Sequence, residues 1–199
     1  SLVRWWNSEK YLTSLIIGGI KFLENFGDPK IGDEILLIGK KGQHLACSTL
    51  EEVLQENTTG KPPEINLNLE LNTGKTLLSL IQDNTLNACH DISDGGMIIA
   101  ICEMLMRSKL GATIDISDQT IIEELFGEDQ SRYIVAVSPS DKAKLLSRLK
   151  KNNVENHMIG KILKQELKIN NNIIISDNEL YEAYENTIPS IMNSWLWMN

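Results

Sequence analysis

Residues 95–108 constrain this chain more than any other segment. Met97, Ile98, Ile99, Ile101, Met104, Leu105 and Met106 cover nearly the whole circumference of a helix, interrupted only by Glu103 and Arg107. A helix that is apolar almost all round must be covered on most of its sides. It therefore calls for a sheet on one flank and further helices beside it. Two β-branched runs, 15–20 (broken by Gly18 and Gly19) and 34–39, read as strands, with turn residues Gly27-Asp28-Pro29-Lys30 and Gly32-Asp33 between them. Further strands are expected ending near Cys89-His90, at 111–115, at 132–137, at 157–162 and at 173–175. Helices are expected at about 73–84 and 118–125. Another starts at Ser138 as N-cap with Pro139 at the first helical position, and a last one opens on the capping box Ser176-Asp177-Asn178-Glu179. Residues 54–66, with Asn57, Gly60, Pro62 and Pro63, read as an exposed loop, and Asn170-Asn171-Asn172 as a turn. The alternation is irregular and several connections are hairpin-like. The expected fold is therefore α+β, a layered mixed sheet flanked by helices, rather than a doubly wound parallel sheet.

A chain of 199 residues fits one domain with a short extension. At that size roughly 70% of the unfolded surface can be buried, so no disulfide or structural metal is needed for a core. Cys47, Cys89 and Cys102 are an odd number without C-x-x-C spacing, which argues against a disulfide framework or zinc site and for a reducing, cytoplasmic compartment. Cys89 precedes His90, but no acidic neighbour orders the two as nucleophile and base. No apolar run approaches the ~20 residues of a membrane span, and no apolar stretch precedes Asn7-Ser8-Glu9-Lys10 as in a secretory signal. Nineteen basic against twenty-seven acidic residues give 19 − 27 = −8. That balance repels a phosphate backbone, and the cluster Lys142, Lys144, Arg148, Lys150 and Lys151 reads as a solvated helix face. Neither nucleic acid nor membrane is an expected partner. Four tryptophans near the termini, Trp5, Trp6, Trp195 and Trp197, point to an apolar surface that wants a partner.

Two polar constellations could carry chemistry. The first is His90-Asp91-Ile92-Ser93-Asp94-Gly95-Gly96, between a strand and the apolar helix. Asp94 can cap that helix, while Gly95 and Gly96 let a ligand approach its N-terminus, where free N–H groups attract phosphate. Two carboxylates there would repel phosphate unless Mg²⁺ bridged them to it. A plain helix cap with a turn-bound Asp91 and a packed His90 accounts for the same residues. The second is Phe126-Gly127-Glu128-Asp129-Gln130-Ser131-Arg132. Arg132 could grip an anion bidentately and Gln130 read an amide or hydroxyl; equally, Arg132 could pair with Glu128 across an exposed turn.

These two motifs together, with Leu125 before the second, resemble the C-terminal module of phosphoribosylformylglycinamidine synthases. Ile17-Gly18-Gly19-Ile20 is similar to that family's link into the module, residues 32–39 to its first strand, and residues 60–67 to the loop before its first long helix. The resemblance implies residues 1–20 as a link from an ATP-binding N-terminal domain and 21–199 as the C-terminal synthetase-like domain. It implies ATP or ADP with Mg²⁺, the family's main ligands for both lying upstream, and a second unit that can hold a nucleotide in a structural role. On the physical argument above, the nucleotide or phosphate would here be held by Asp94, Gly95, Gly96, Glu128, Asp129, Gln130 and Arg132, and the metal by Asp91. Ser1 resembles the serine of a substrate-contacting Asn-x-Ser-Leu-Tyr motif. The implied reaction is the ATP-dependent conversion of a formyl amide to an amidine, with ammonia from a glutaminase subunit or domain and with upstream synthetase domains as partners. The family's catalytic histidine lies upstream, so the chain by itself is expected to be inactive. A kinase or synthetase of the same fold, or a noncatalytic nucleotide-binding or assembly domain, are the other readings.

Overall fold

The structure is a computed structural model and describes residues 16–17, 20–21, 25–55, 60–117 and 119–185. Ser1 and the four tryptophans lie outside the described residues. In chain order the elements are β1 (Ile16–Ile17), β2 (Ile20–Lys21), β3 (Asn25–Gly27), β4 (Glu34–Ile38), α1 (Thr49–Gln55), α2 (Leu67–Gln82), β5 (Ala88–Asp91), α3 (Gly96–Ser108), β6 (Gly111–Ile114), α4 (Ile121–Phe126), β7 (Tyr133–Val137), α5 (Lys142–Lys151), β8 (Asn156–Leu163), β9 (Leu167–Ile169), β10 (Ile173–Ile175) and α6 (Asp177–Glu185). β1 and β2 pair with each other. The other eight strands form one sheet in the order β10-β9-β6-β8-β4-β7-β5-β3. Every pairing in it is antiparallel except β6 with β9. This is the expected layered mixed sheet.

The period-2 alternation of strand side chains divides the core between the two faces of the sheet. Ile35, Leu37, Ile134 and Ala136 face α3, which lies against them through Met97, Ile101, Met104 and Leu105. Leu36, Ile38, Val135 and Val137 face the other way and are covered by Leu77 and Leu80 of α2 and Leu145 and Leu149 of α5. Both faces are buried, so β4 and β7 read as continuous apolar runs rather than alternating ones. Each large aliphatic side chain enclosed here contributes ~1.5–3 kcal/mol relative to exposure. α4 and α6 also pack against α3, which supplies most of the cover its composition demanded, with Ile99 left 40% exposed.

Several boundaries differ from the sequence expectation, each for a local reason. α2 begins at Leu67 rather than near 73: Asn66 caps it by accepting the Leu69 N–H, but its first turn is exposed and carries no apolar stripe. α1 falls partly in the segment read as loop, because Val53 and Leu54 point outward at 73% and 71% exposure. α4 starts at Ile121, three residues later than expected. α5 starts at Lys142; the Ser138 hydroxyl accepts the Asp141 N–H in a turn that precedes the helix instead of capping it. β9, too short for a periodic signal, was not anticipated. The 170–172 turn does form the β9–β10 hairpin, with Asn170 and Asn171 both left-handed, the geometry of a type I′ turn. The capping box at Ser176 and Glu179 forms reciprocally.

Candidate functional site

The sheet delivers the first motif to the end of β5, and the tight 92–95 connection turns the chain directly into α3. Alternation along β5 sends Ala88 to the α3 side and Cys89 to the α2 side. His90 therefore also lies on the α3 side. Its Nδ1 is 2.7 Å from the Asp91 carbonyl and its Nε2 is 3.0 Å from Glu103 Oε2. A carboxylate not singled out in the sequence, that of Glu103 at the polar break in the apolar helix, thus faces His90, but it does not order Cys89 and His90 as nucleophile and base. Cys89 is not its nucleophile. The thiol lies on the opposite face, where burial, with a smaller push from Asp91, raises it to about 12.

Burial disfavours the charged His90 ring, but Glu103 and the Asp91 carbonyl more than offset it. The ring holds its proton above the ordinary 6.5. Its protonation therefore adds stability that is fully present below the unfolded value and is lost as pH rises through the folded one. Glu103→Gln is expected to flatten the fall of the urea midpoint that sets in as pH rises above the unfolded value of 6.5. An unchanged profile in that variant would show that Glu103 does not hold the His90 proton.

Asp94 does not cap α3, which corrects that expectation. Gly95 and Gly96 both adopt positive φ, +80° and +73°, and this left-handed turn carries the exposed Asp94 away from the helix start. Glu128 does the capping instead. Its Oε1 accepts the Gly95 N–H at 2.7 Å and the Thr49 N–H of α1 at 2.9 Å. A carboxylate from the second motif thus occupies the anion position at the head of α3.

The remaining residues of that motif are equally engaged. Asp129 Oδ2 accepts the N–H groups of Gln43 and His44 at 2.9 and 3.1 Å. Ser131, buried and at φ +62°, donates to Glu70 of α2, as does the Tyr133 hydroxyl. Arg132 is only 2% exposed. Its Nε donates to the Lys40 carbonyl at 3.0 Å, Nη1 to Gly127 at 2.8 Å and Nη2 to Glu124 at 3.4 Å. Neither proposed use of that guanidinium holds in this conformation, anion gripping or a pair with Glu128. Burial opposes its charge and the nearby carboxylates of Asp129 and Glu124 support it. Gln130 is exposed, and Asp91 keeps about a third of its side chain accessible. Glu70, which joins α2 to this segment, was not anticipated: one acidic residue in an exposed first turn has no distinguishing pattern.

Asp91, Ser93, Asp94 and Gln130 are therefore the parts of the two motifs that reach solvent, above a base fixed by Glu128, Asp129 and Arg132. Among the described residues no group of three or more His, Cys, Asp or Glu side chains is arranged to hold a metal. Asp91 fits Mg²⁺ only as the kind of site that relies on one or two carboxylates plus substrate phosphates.

An antiparallel-rich sheet with this strand-to-helix polar motif at the end of β5 defines a class. The family model described as AIR synthase related protein, C-terminal domain, matches residues 30–170, and the chain belongs to that family. Over its whole length it is 34% identical to the phosphoribosylformylglycinamidine synthase subunit PurL of Brucella ovis and to that of Brucella melitensis. It spans 28% of the length of those relatives. Thermotoga maritima PurL complexed with FGAR has a similar fold, with a TM-score of 0.65 at 16% identity over 79% of this chain and 29% of that one. The same protein is also known complexed with ATP, with ADP and within PurLQS. Thiamine-monophosphate kinase of Stenotrophomonas maltophilia shares the fold at a TM-score of 0.52 and 20% identity, over 73% of this chain and 52% of that one.

Proposed function

We propose that this chain is the C-terminal portion of a phosphoribosylformylglycinamidine synthase, with residues 1–20 as the link from an ATP-binding part and 21–199 as the C-terminal synthetase-like domain. The observation that carries this is the end-to-end 34% identity to PurL subunits, which spans both polar motifs. In the whole enzyme, ATP activates the formamide oxygen of formylglycinamide ribonucleotide. Ammonia, derived from glutamine by a glutaminase subunit or domain, then displaces phosphate to leave the amidine. The enzyme would work in the cytoplasm, and no described helix is long and apolar enough to cross a membrane.

This chain's part is to bind and orient. Asp91 would hold Mg²⁺ together with phosphate oxygens of ATP or ADP, and the metal would supply charge neutralisation there. The exposed Asp94 and Gln130 would form the rim that receives the phosphate-bearing ligand, above the buried backbone of Gly95 and Gly96, while Glu128, Asp129 and Arg132 keep the rim in place. Ser1 would contact the substrate from the upstream side. One observation favours a second reading, a noncatalytic nucleotide-binding or assembly domain: the Gly95 N–H is already given to Glu128.

The test uses the complete polypeptide that carries this chain. It is expected to form the amidine in an ATP- and glutamine-dependent manner, whereas residues 1–199 alone release no phosphate. Asp91→Asn should weaken Mg²⁺-dependent ADP binding about tenfold or more. Absence of amidine formation would overturn the synthase reading. Equal ADP affinity in the variant would overturn the metal role of Asp91.

A further inference from the structure

At the opposite end of α3, some thirteen residues from the site above, a cleft of about 360 Å³ opens between this helix and the start of α6. Its floor is apolar, made by Leu105, Met106, Leu110 and Leu180, and its rim is polar, made by Lys109, Asn178 and Tyr181. That volume lies within the ~300–1,000 Å³ of small-molecule sites, which pair an apolar lining with a few placed polar groups.

Both walls are held in place. The Lys109 N–H donates to the Met106 carbonyl and the Leu110 N–H to the Leu105 carbonyl, at 3.2 and 3.1 Å. These are the two bonds of a Schellman ending, and they set Leu105 beneath Leu110. The capping box of Ser176 and Glu179 fixes the start of α6, and it turns the Glu179 carboxylate back onto its own helix. Lys109 occupies the left-handed position of that ending at φ +52°, where glycine is the usual residue. A strained side chain kept at such a position invites a functional account. Arg107, the neighbouring cation, is spent on Asp28 at 2.9 Å. The side chains of Lys109, Asn178 and Tyr181, by contrast, have no hydrogen-bond or ion-pair partner among the described residues.

We propose that this cleft binds a small amphipathic anion, an aromatic or aliphatic carboxylate whose body lies on the leucine floor and whose charged end meets Lys109. The argument for that occupant is charge complementarity. The Lys109 ammonium, the Asn178 amide N–H₂ and the Tyr181 phenol O–H, unpaired among the described residues, are all donors suited to a carboxylate or sulfonate, and the side chains beneath them are apolar.

The 199-residue chain is titrated with two fluorescent probes that share their rings: anilinonaphthalene sulfonate, an anion, and phenylnaphthylamine, which is uncharged. The sulfonate is expected to bind saturably, one per chain. Lys109→Gly should weaken it about tenfold, the scale of one charge-assisted contact, and leave phenylnaphthylamine affinity unchanged. The same variant should melt at a higher temperature, because glycine relieves the left-handed backbone. Binding and stability then move in opposite directions, which loss of fold cannot imitate. Equal sulfonate affinity in both proteins, or a loss shared by both probes, would overturn the proposal by reducing the cleft to bare apolar surface. Absence of saturable binding would overturn it as well, whether residues 186–199 or a second copy of the chain fills the space.

Discussion

Arg132→Met is expected to destabilise the fold by about 3–5 kcal/mol, the range found when one partner of a buried charged cluster is removed. The guanidinium is enclosed and holds three main-chain carbonyls, those of Lys40, Gly127 and Glu124. Methionine keeps the volume and supplies no donor. Those carbonyls would then lie buried without partners, and the Asp129 carboxylate, 4.0 Å from Nη1, would lose its nearest cation. With an m-value of about 2–3 kcal/mol/M, the urea midpoint should fall by on the order of 1–2 M. Arg132→Lys should recover only part of this, since an ammonium cannot span the three acceptors in one plane. A midpoint within 0.2 M or so of the parent, on the same slope, would mean that the loops at 40–44 and 124–129 are held by something else.

The second large effect is expected at Gly96→Ala. A Cβ at this position would stand 2.7 Å from the Leu125 carbonyl oxygen and 2.7 Å from the backbone of Phe126, on a residue at φ +73°. Left-handed backbone costs a non-glycine residue ~1–2 kcal/mol. Displacing a packed main-chain segment adds ~1–3 kcal/mol more. A loss of about 3 kcal/mol is therefore expected, with the head of α3 pushed off α4 and off the Glu128 cap. Gly74→Ala serves as the control. It lies mid-helix in α2 with nothing within 4 Å of its Cβ, so it should leave stability unchanged or raise it by about 0.5–1 kcal/mol. Similar losses in both variants would show that alanine is penalised in general and that α3 and α4 do not pack as described. Urea unfolding followed by circular dichroism measures both.

Much of the architecture was legible along the chain because burial on two sides leaves a plain mark. β4, β7 and α3 were all found from apolar runs, and the α6 capping box from four residues, since each signal is local and repeats at a known period. The elements missed or misplaced, among them β3, α1, the first turn of α2, the starts of α4 and α5, and β9, are short, lie at helix ends or turn their large side chains outward, so they carry no period to detect. The two polar motifs were likewise recognisable as residues, and Asp91 kept its place at a strand end facing solvent.

What each motif residue does was decided only by the tertiary structure. Residues 124–132 are as polar as an exposed turn, and composition alone cannot say that Arg132 is buried or that Glu128 reaches two helix starts. The partners of Arg132 at Lys40, and of Glu128 at Thr49 and Gly95, lie 92, 79 and 33 positions away. No spacing rule links residues so distant; the sheet does, by setting β7 between β4 and β5. The sequence by itself determined which segments must be buried and which residues could carry charge chemistry. Hydrophobic burial is a property of each segment, whereas a hydrogen bond belongs to a pair, and the pairs exist only once the chain has folded.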